Sequence, residues 1–481
     1  MIGSQGHVCS YRGGSRRASP ISRRAVLGGA VGLFAAGLVE PALAQRDQTG
    51  QGTARQRVLL RGGYVLTMDP ALGDFERADV LIDGSTIAAV QPSLEVADPD
   101  VEVIDASRMI VMPGFVDTHR HMWQGALRNV SPDGLLSDYT RDITGAARSV
   151  FQPEDVRIGD LVSALGALNA GVTTVLDWSH IGNSPEHTDA AIAGLREAGI
   201  RAVYAYGGGA PGPQSRYPAD IRRLRMEHFS SSDDLLTLAI AAGGNPADWN
   251  LAREVGAFVS IHVVGALGPV EDAMGPDVTY IHCTNLPDDA WRRIADTGGH
   301  VSIAAPIEMQ MSHGVPPVQT ALDHGIRPSL SVDVETQMTS DMFTQMRTVF
   351  ALQRMQANER QRVGDERAPA LLGVRDVVEF ATVRGAIANR LDDRIGSLTP
   401  GKQADVILLR TDAINVLPLN DAYGAIVLGM DTSNVDTVFV AGRIRKRNGA
   451  LVGVDLERIS RDAEASRDRI HAAAGWPVSP L

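Results

Sequence analysis

The stretch Pro113-Gly114-Phe115-Val116-Asp117-Thr118-His119-Arg120-His121 reads as a short apolar strand that leaves a turn and ends on two histidines one residue apart. Strand side chains alternate with period two, so His119 and His121 share one face and Arg120 takes the other. Toward the C-terminus the same kind of apolar run returns at 173–177, 201–206, 237–241, 257–263, 278–282, 301–305 and 329–333. With 114–118 that makes eight, and the segments between them, such as 184–198 and 287–297, are long enough for a helix each. Strands alternating with helices predict a parallel sheet with crossover helices. Eight such units over 113–395 predict an α/β chain whose main body is a (β/α)8 TIM barrel, a fold of typically ~250 residues.

On either side of that body the pattern changes. Residues 56–112 alternate in the manner of short strands at 58–68 and 78–90, with turns at Gly62-Gly63 and Asp83-Gly84. Residues 396–451 hold similar runs at 404–409 and 437–440, with turns at Pro400-Gly401 and Asn448-Gly449. The two stretches are expected to be halves of one small β-sandwich assembled from both chain ends, followed by a C-terminal helix and tail at 452–481.

Charge and composition narrow the function. The chain is 44% apolar and 5% aromatic, which suits a globular α/β protein better than an aromatic-laced nucleic-acid binder. Residues 1–44 carry Arg12, Arg16, Arg17, Arg23 and Arg24 against Glu40. Taking these from the 45 basic and 57 acidic residues leaves 40 and 56, a body of formal charge −16 that argues against nucleic acid or an anionic membrane as partner. The basic head reads as a signal peptide: Ser22-Arg23-Arg24-Ala25-Val26-Leu27 runs into apolar 25–39, and Ala42-Leu43-Ala44 offers a small-x-small cleavage site before Gln45. The paired arginines resemble a twin-arginine signal, although Val26 and Gly28 stand where that pattern has Phe and Lys. The expected location is periplasmic or secreted, with the export machinery as a partner and no membrane contact after leader removal. Cys9 and Cys283 are the only cysteines and Cys9 leaves with the leader, so the mature chain forms no internal disulfide.

The catalytic face of such a barrel lies at the carboxyl ends of its strands. There the sequence places His119 and His121 on strand one, His262 on strand five, His282 on strand six and Asp333 on strand eight, with His180 just past strand two. An isolated H-x-H pair is a weak signal, and its coincidence with three more candidates at matching strand ends is a strong one.

Together with Gly171-Val172-Thr173-Thr174, Tyr280-Ile281-His282-Cys283, Ser340-Asp341-Met342-Phe343-Thr344-Gln345-Met346-Arg347 and Ile395-Gly396-Ser397-Leu398-Thr399-Pro400-Gly401-Lys402-Gln403-Ala404-Asp405, these residues resemble the amidohydrolase superfamily. The resemblance is to its branch of chlorohydrolases, cytosine deaminases and adenosyl-nucleoside deaminases, and it runs from Val58 to Gly449. It implies a metal-dependent hydrolase that cuts a C–N bond, other than a peptide bond, in a small cyclic or amide-like substrate. It implies His119, His121 and His262 as neutral imidazole ligands, and Asp333 as fourth ligand or close neighbour of the activated water. His282 would face the substrate and polarise the group under attack while Asp333 carries the proton. Three nitrogens and one oxygen suit Zn2+, with Fe2+ or Mn2+ also tolerated. A second ion in this superfamily needs a bridging carboxylated Lys, Glu or Cys on strand four. Residues 235–244 have none, so one divalent metal ion is expected. Dimers are common in the superfamily, and a homo-oligomer is expected.

One position departs from the resemblance. Deaminases of this branch carry a Glu three residues after the strand-five His, and here that place is Gly265. Either Asp333 moves the proton alone, or Glu308, Glu335 or His180 comes in from a neighbouring strand end. Glu335 faces the same side as Asp333 if strand eight continues, and is otherwise a solvated turn residue. His180 lines the pocket or satisfies a loop backbone. Trp123 and Gln124 flank the ion, stacking on and hydrogen-bonding a flat substrate, or they are a core Trp and a capping Gln. His313 is expected in a loop over the barrel mouth, whereas His187, His228, His300 and His324 are expected to be structural. Without a Glu at 265 the same site could instead serve decarboxylation or dehalogenation, and a periplasmic binding protein that lost catalysis is the rival from another class.

Overall fold

The computed structural model describes residues 56–231 and 233–477. The signal peptide expected at 1–44 and the end of the tail at 478–481 lie outside the described residues.

Both chain ends build one nine-stranded mixed sheet. Arg57–Val65 pairs antiparallel with Phe75–Asp83, which pairs with Thr86–Gln91, and it lies parallel to Glu102–Asp105 and Met109–Pro113. Met109–Pro113 then pairs antiparallel with Val406–Arg410, and the sheet continues through Val435–Val440, Arg443–Arg447 and Ala450–Leu451. That pairing of Met109–Pro113 with Val406–Arg410 is what stitches the two ends together. The apolar residues obey the period of a strand: Val58 and Leu60, Val80 and Ile82, and Val406 and Leu408 meet in one buried core. In the last hairpin Asn448 (φ +50°) and Gly449 (φ +78°) are both left-handed, a turn that matches the twist of its strands and that Asn-Gly tolerates.

Between these halves lie eight parallel strands in sequential order: Phe115–Arg120, Val172–Gly182, Arg201–Gly208, Leu236–Ala242, Phe258–Val264, Val278–Thr284, His300–Ile303 and Ser329–Leu330. Strand eight is short, and the barrel closes beyond its last regular pair. Asp333 N donates to His119 O and His121 N donates to Asp333 O, each at 3.0 Å, so the seam between strands one and eight is tied at its carboxyl end. Deeper in the seam Asp117 accepts from the backbone N–H of Val332 at 3.1 Å, which leaves that buried donor satisfied.

One crossover differs from expectation. Between strands five and six the only described helical turn is the 3-10 segment Glu271–Ala273. Gly265, Gly268, Pro269, Gly275 and Pro276 interrupt every run there that could sustain a helix. The excursion after strand one is long instead. It contains the helix Leu136–Tyr139, the π-helix Thr140–Ala147 and then the helix Pro153–Asn169. Near the C-terminus Leu456–Ala474 forms the expected helix, tied to Asp155 through Ser466 Oγ at 2.7 Å. Among the described residues no helix is long and apolar enough to cross a membrane.

Candidate active site

Side chains from the ends of strands one, five and eight converge at the carboxyl mouth of the barrel. One ligand atom each from His119, His121, His262 and Asp333 lies within 4.8 Å of the others. His119 Nε2 is 3.1 Å from Asp333 Oδ1 and 3.1 Å from His262 Nε2, and His121 Nε2 is 3.4 Å from the same carboxylate oxygen. Two imidazole nitrogens facing each other across 3.1 Å, with a carboxylate oxygen at the same distance, cannot all be satisfied by one proton. A cation between them satisfies all at once, and these spacings are close to the ~3.3 Å edges of a tetrahedron built on bonds of ~2.0–2.1 Å. The residues present therefore fit a divalent metal.

Protonation states agree with ligation. His121 Nδ1 lies 2.9 Å from Trp178 O, a carbonyl that only accepts, so the ring proton sits on Nδ1 and the Nε2 lone pair faces the cluster. Burial, reinforced by the neighbouring imidazoles, holds His121 and His262 well below the usual histidine range. Burial lowers His119 too, against the opposing pull of Asp333. For Asp333 burial works upward, but the hydrogen bond to His119 and the surrounding imidazoles outweigh it and keep the carboxyl well below its ordinary range. Asp333 (φ +69°) and His282 (φ +68°) both hold left-handed backbone without being glycine, local strain of the kind that gathers at functional sites.

His282 stands beside this quartet, with Nε2 3.7 Å from Asp333 Oδ2. Its other nitrogen, Nδ1, is 3.1 Å from Glu308 Oε1, which also accepts from Ala304 N at 2.9 Å. Glu308 thus lies behind His282, where it orients the ring, and does not replace the missing strand-five acid in front of a substrate. Burial pushes the His282 pKa down, but Glu308 and Asp333 overcome it and the net shift is upward. His313 packs its ring 4.8 Å from His282, buried, with neither ring nitrogen partnered in the described residues.

Other expected residues fall on both sides of the alternatives. Glu335 turns away from the pocket: it is 3.0 Å from Arg120 and 3.2 Å from Arg128 and accepts from Ser340 Oγ, while Arg120 also holds Asp117 at 2.8 Å. The chain bends at Asp333 instead of continuing as a strand, so the two-residue period that would aim Glu335 inward does not apply. Trp123 is fully buried between Phe151 and His180, a core residue and not a surface for stacking a substrate. Gln124 is also fully buried, and its amide nitrogen donates to Tyr139 OH at 2.6 Å. His180 belongs to the site, 4.2 Å from the His121 ring, and burial lowers its pKa to about 3. Gly265 is exposed at φ +78°, and a Cβ there would meet nothing within 4 Å.

Two residues near the cluster escape sequence reading. Trp178 is partly exposed and places its ring 4.2 Å from His262. Tyr139, its ring 6.5 Å from that of His121, lies in 125–150, where the sequence shows no motif, just before a π-helix whose turn no periodic pattern anticipates. A Trp next to the strand-end Ser179-His180 was the one usable signal.

Comparison with known proteins agrees with this architecture. The sequence profile of the Amidohydrolase family matches residues 110–445. A 5'-deoxyadenosine deaminase of Methanosarcina barkeri is 26% identical over 443 residues, covering 86% of this chain and 98% of the relative. A 5-methylthioadenosine/S-adenosylhomocysteine deaminase of Pelotomaculum thermopropionicum is 25% identical, covering 85% and 97%. Among solved structures, a zinc-bound adenosine deaminase from Xanthomonas campestris superposes with a TM-score of 0.73 at 23% identity, covering 86% of this chain and 98% of the other. Atrazine chlorohydrolase TrzN from Arthrobacter aurescens TC1, complexed with zinc, gives 0.72 at 22% identity, covering 85% and 100%. At these identities the structural likenesses speak to the fold.

Proposed function

The chain belongs to the amidohydrolase family, and from that premise we propose that it hydrolyses a non-peptide C–N bond of a small cyclic or amide-like substrate. The observation that carries the reading is the position of Asp333: Oδ1 lies among three imidazoles while Oδ2 faces His282. One carboxylate therefore connects the place where water is deprotonated with the residue that touches the leaving group.

His119, His121, His262 and Asp333 would hold a divalent ion, Zn2+ by the chemistry of the set, whose Lewis acidity brings the pKa of water toward neutrality. Asp333, kept ionised, accepts the proton of the attacking water. His282, oriented by Glu308, donates a hydrogen bond to the polarised atom of the substrate, and Asp333 returns the proton to the departing nitrogen. Burial of His119, His121 and Asp333 limits competing water, while His262 is partly exposed.

The test is to load the purified protein with Zn2+, Fe2+ or Mn2+ and follow ammonia or amine release from amides, lactams, guanidines and aminoheterocycles. Turnover by at least one metal form is expected. Silence from every form across the panel sinks the reading, as does undiminished metal content in His262→Ala. Gly265 favours one second reading, a dehalogenating or decarboxylating reaction at the same site, which halide or CO2 release without ammonia would reveal. We also propose export ahead of cleavage, supported by the Arg23-Arg24 leader; N-terminal sequencing of protein from the periplasm should begin at Gln45.

A further inference from the structure

One aromatic side chain stands at the way into the proposed metal site. Around it His119, His121, His180, His282 and Asp333 are each less than a tenth exposed, whereas Trp178 and His262 are partly open, their rings 4.2 Å apart. A molecule that reaches His262 from solvent therefore meets Trp178. The indole packs on the barrel interior, where its neighbours in register on strands three and four are Ala205 and Ala239, followed two residues on by Gly207 and Ala241. Side chains this small let the ring cross the barrel from strand two, and its Nε1 donates to Ser260 O on strand five at 3.2 Å. The Trp178 carbonyl lies 2.9 Å from His121 Nδ1. Backbone and ring are thus both anchored. On the same side of the mouth Gly243, Gly244 and Gly265 follow strands four and five, and a Cβ at any of them would meet nothing within 4 Å.

Covering exposed indole is favourable, and a ring already held in place gives up little freedom when a ligand covers it. We propose that Trp178 is the specificity-determining wall of the site, against which the substrate lays a flat, conjugated ring with its scissile carbon toward His262. Aromatic rings gain from stacked or edge-on contact with an indole, a gain that a puckered saturated ring of the same size does not share. The spacing suits this arrangement. From the Trp178 ring, those of His262, His121 and His119 are 4.2, 5.6 and 6.2 Å away, so a ring lying against the indole carries its substituent to the quartet. Trp178 thereby takes the stacking role that residue order suggested for Trp123, which the fold buries completely. The inference rests on the hydrolase reading above and adds to it the residue that selects for a planar ring.

The experiment uses the Zn2+-loaded protein and two zinc-seeking probes that differ only in the ring, benzohydroxamate and cyclohexanecarbohydroxamate. Binding is read by calorimetry and by tryptophan emission. Benzohydroxamate should bind about 3- to 10-fold more tightly than its saturated partner. It should also change the emission of the wild type and leave that of Trp178→Phe unchanged. Trp178→Leu should remove the affinity gap with zinc content retained, and Trp178→Phe should keep part of it. Trp476→Phe, whose ring lies against His471 near the C-terminus, should keep both the gap and the emission change. Equal or reversed affinities in the wild type, a gap that survives Trp178→Leu, or an emission change that survives Trp178→Phe overturns the proposal. Loss of zinc from Trp178→Leu overturns it as well, since the ring would then serve to hold His262. The wild-type comparison needs no variant, so a misfolded Leu protein leaves the test standing. Ammonia release from the panel above with equal affinities for the two probes overturns the role of Trp178 alone. Preference for the flat probe without ammonia release from any metal form overturns the hydrolysis and leaves Trp178 as a binding surface.

Discussion

Asp333 and Glu335 are two buried carboxylates two residues apart at the end of strand eight, and they serve opposite sides of the molecule. Asp333 sits among imidazoles in the barrel mouth, and Glu335 sits in a cage of Arg120, Arg128 and Ser340 behind it. Both are held below the usual carboxylate range, Glu335 at about 2 because Arg128 and Arg120 outweigh the upward push of burial. Identical chemistry and equal burial thus yield one group for the reaction and one that fastens the loop after strand eight to strand one. The direction of the backbone decides which is which.

Substitution should separate them most sharply. Asp333→Asn is expected to lower turnover by ~10²–10⁴-fold and to lower metal content while the chain stays folded, checked by kinetics and metal analysis. Glu335→Gln should do the reverse, keeping the metal but losing about 1–3 kcal/mol of stability in denaturant melts, because buried Arg120 is left with Asp117 alone and the partly exposed Arg128 loses its carboxylate. If both variants lose metal and stability alike, the distinction between the two regions is wrong.

Acid should attack the two regions in different windows. In the metal-free chain His121 and His262 stay neutral below 6.5, their ordinary pKa, while the unfolded chain takes up protons there. Stability therefore falls as pH drops through 6.5, by up to about 1.4 kcal/mol per pH unit for each such imidazole. Glu335 contributes fully above 4.5, its ordinary pKa, and its contribution fades as pH falls from there toward about 2. Melts of metal-free protein from pH 7 to 3 should show the first loss in wild type and in Glu335→Gln alike, and a second loss below 4.5 that is larger in wild type, because Asp333 still contributes to it in both. The smallest effect is expected from Gly265→Glu. Its Cβ has open space, so the left-handed backbone is the main cost, about 1 kcal/mol, and ammonia release from aminoheterocycles should rise if the vacant acid position limits deamination.

Much of this was readable in advance because it depends on local periodicity. All eight barrel strands fall within a few residues of the apolar runs that announce them, and the H-x-H pair shares a face because strands repeat every two residues. Asn448-Gly449 marks its hairpin through the φ values it tolerates. Where local pattern has no purchase, expectation and structure part. Glu335 and Trp123 carry the right chemistry at the right distance along the chain, yet one faces a cage of arginines and the other a packed core. Tyr139 comes within 6.5 Å of the His121 ring from a segment whose π-helical turn has no signature in residue spacing.

By itself, then, the sequence determined the barrel and a β domain assembled from both chain ends, which follow from strand alternation, while the candidate quartet of His119, His121, His262 and Asp333 rested on strand-end position together with the family resemblance, and the expected sandwich is a single mixed sheet. Only the tertiary structure decided which buried carboxylate meets the imidazoles and that Glu308 acts through His282. Those choices turn on backbone bends at single residues such as Asp333 and on contacts between segments far apart along the chain, which no local pattern encodes.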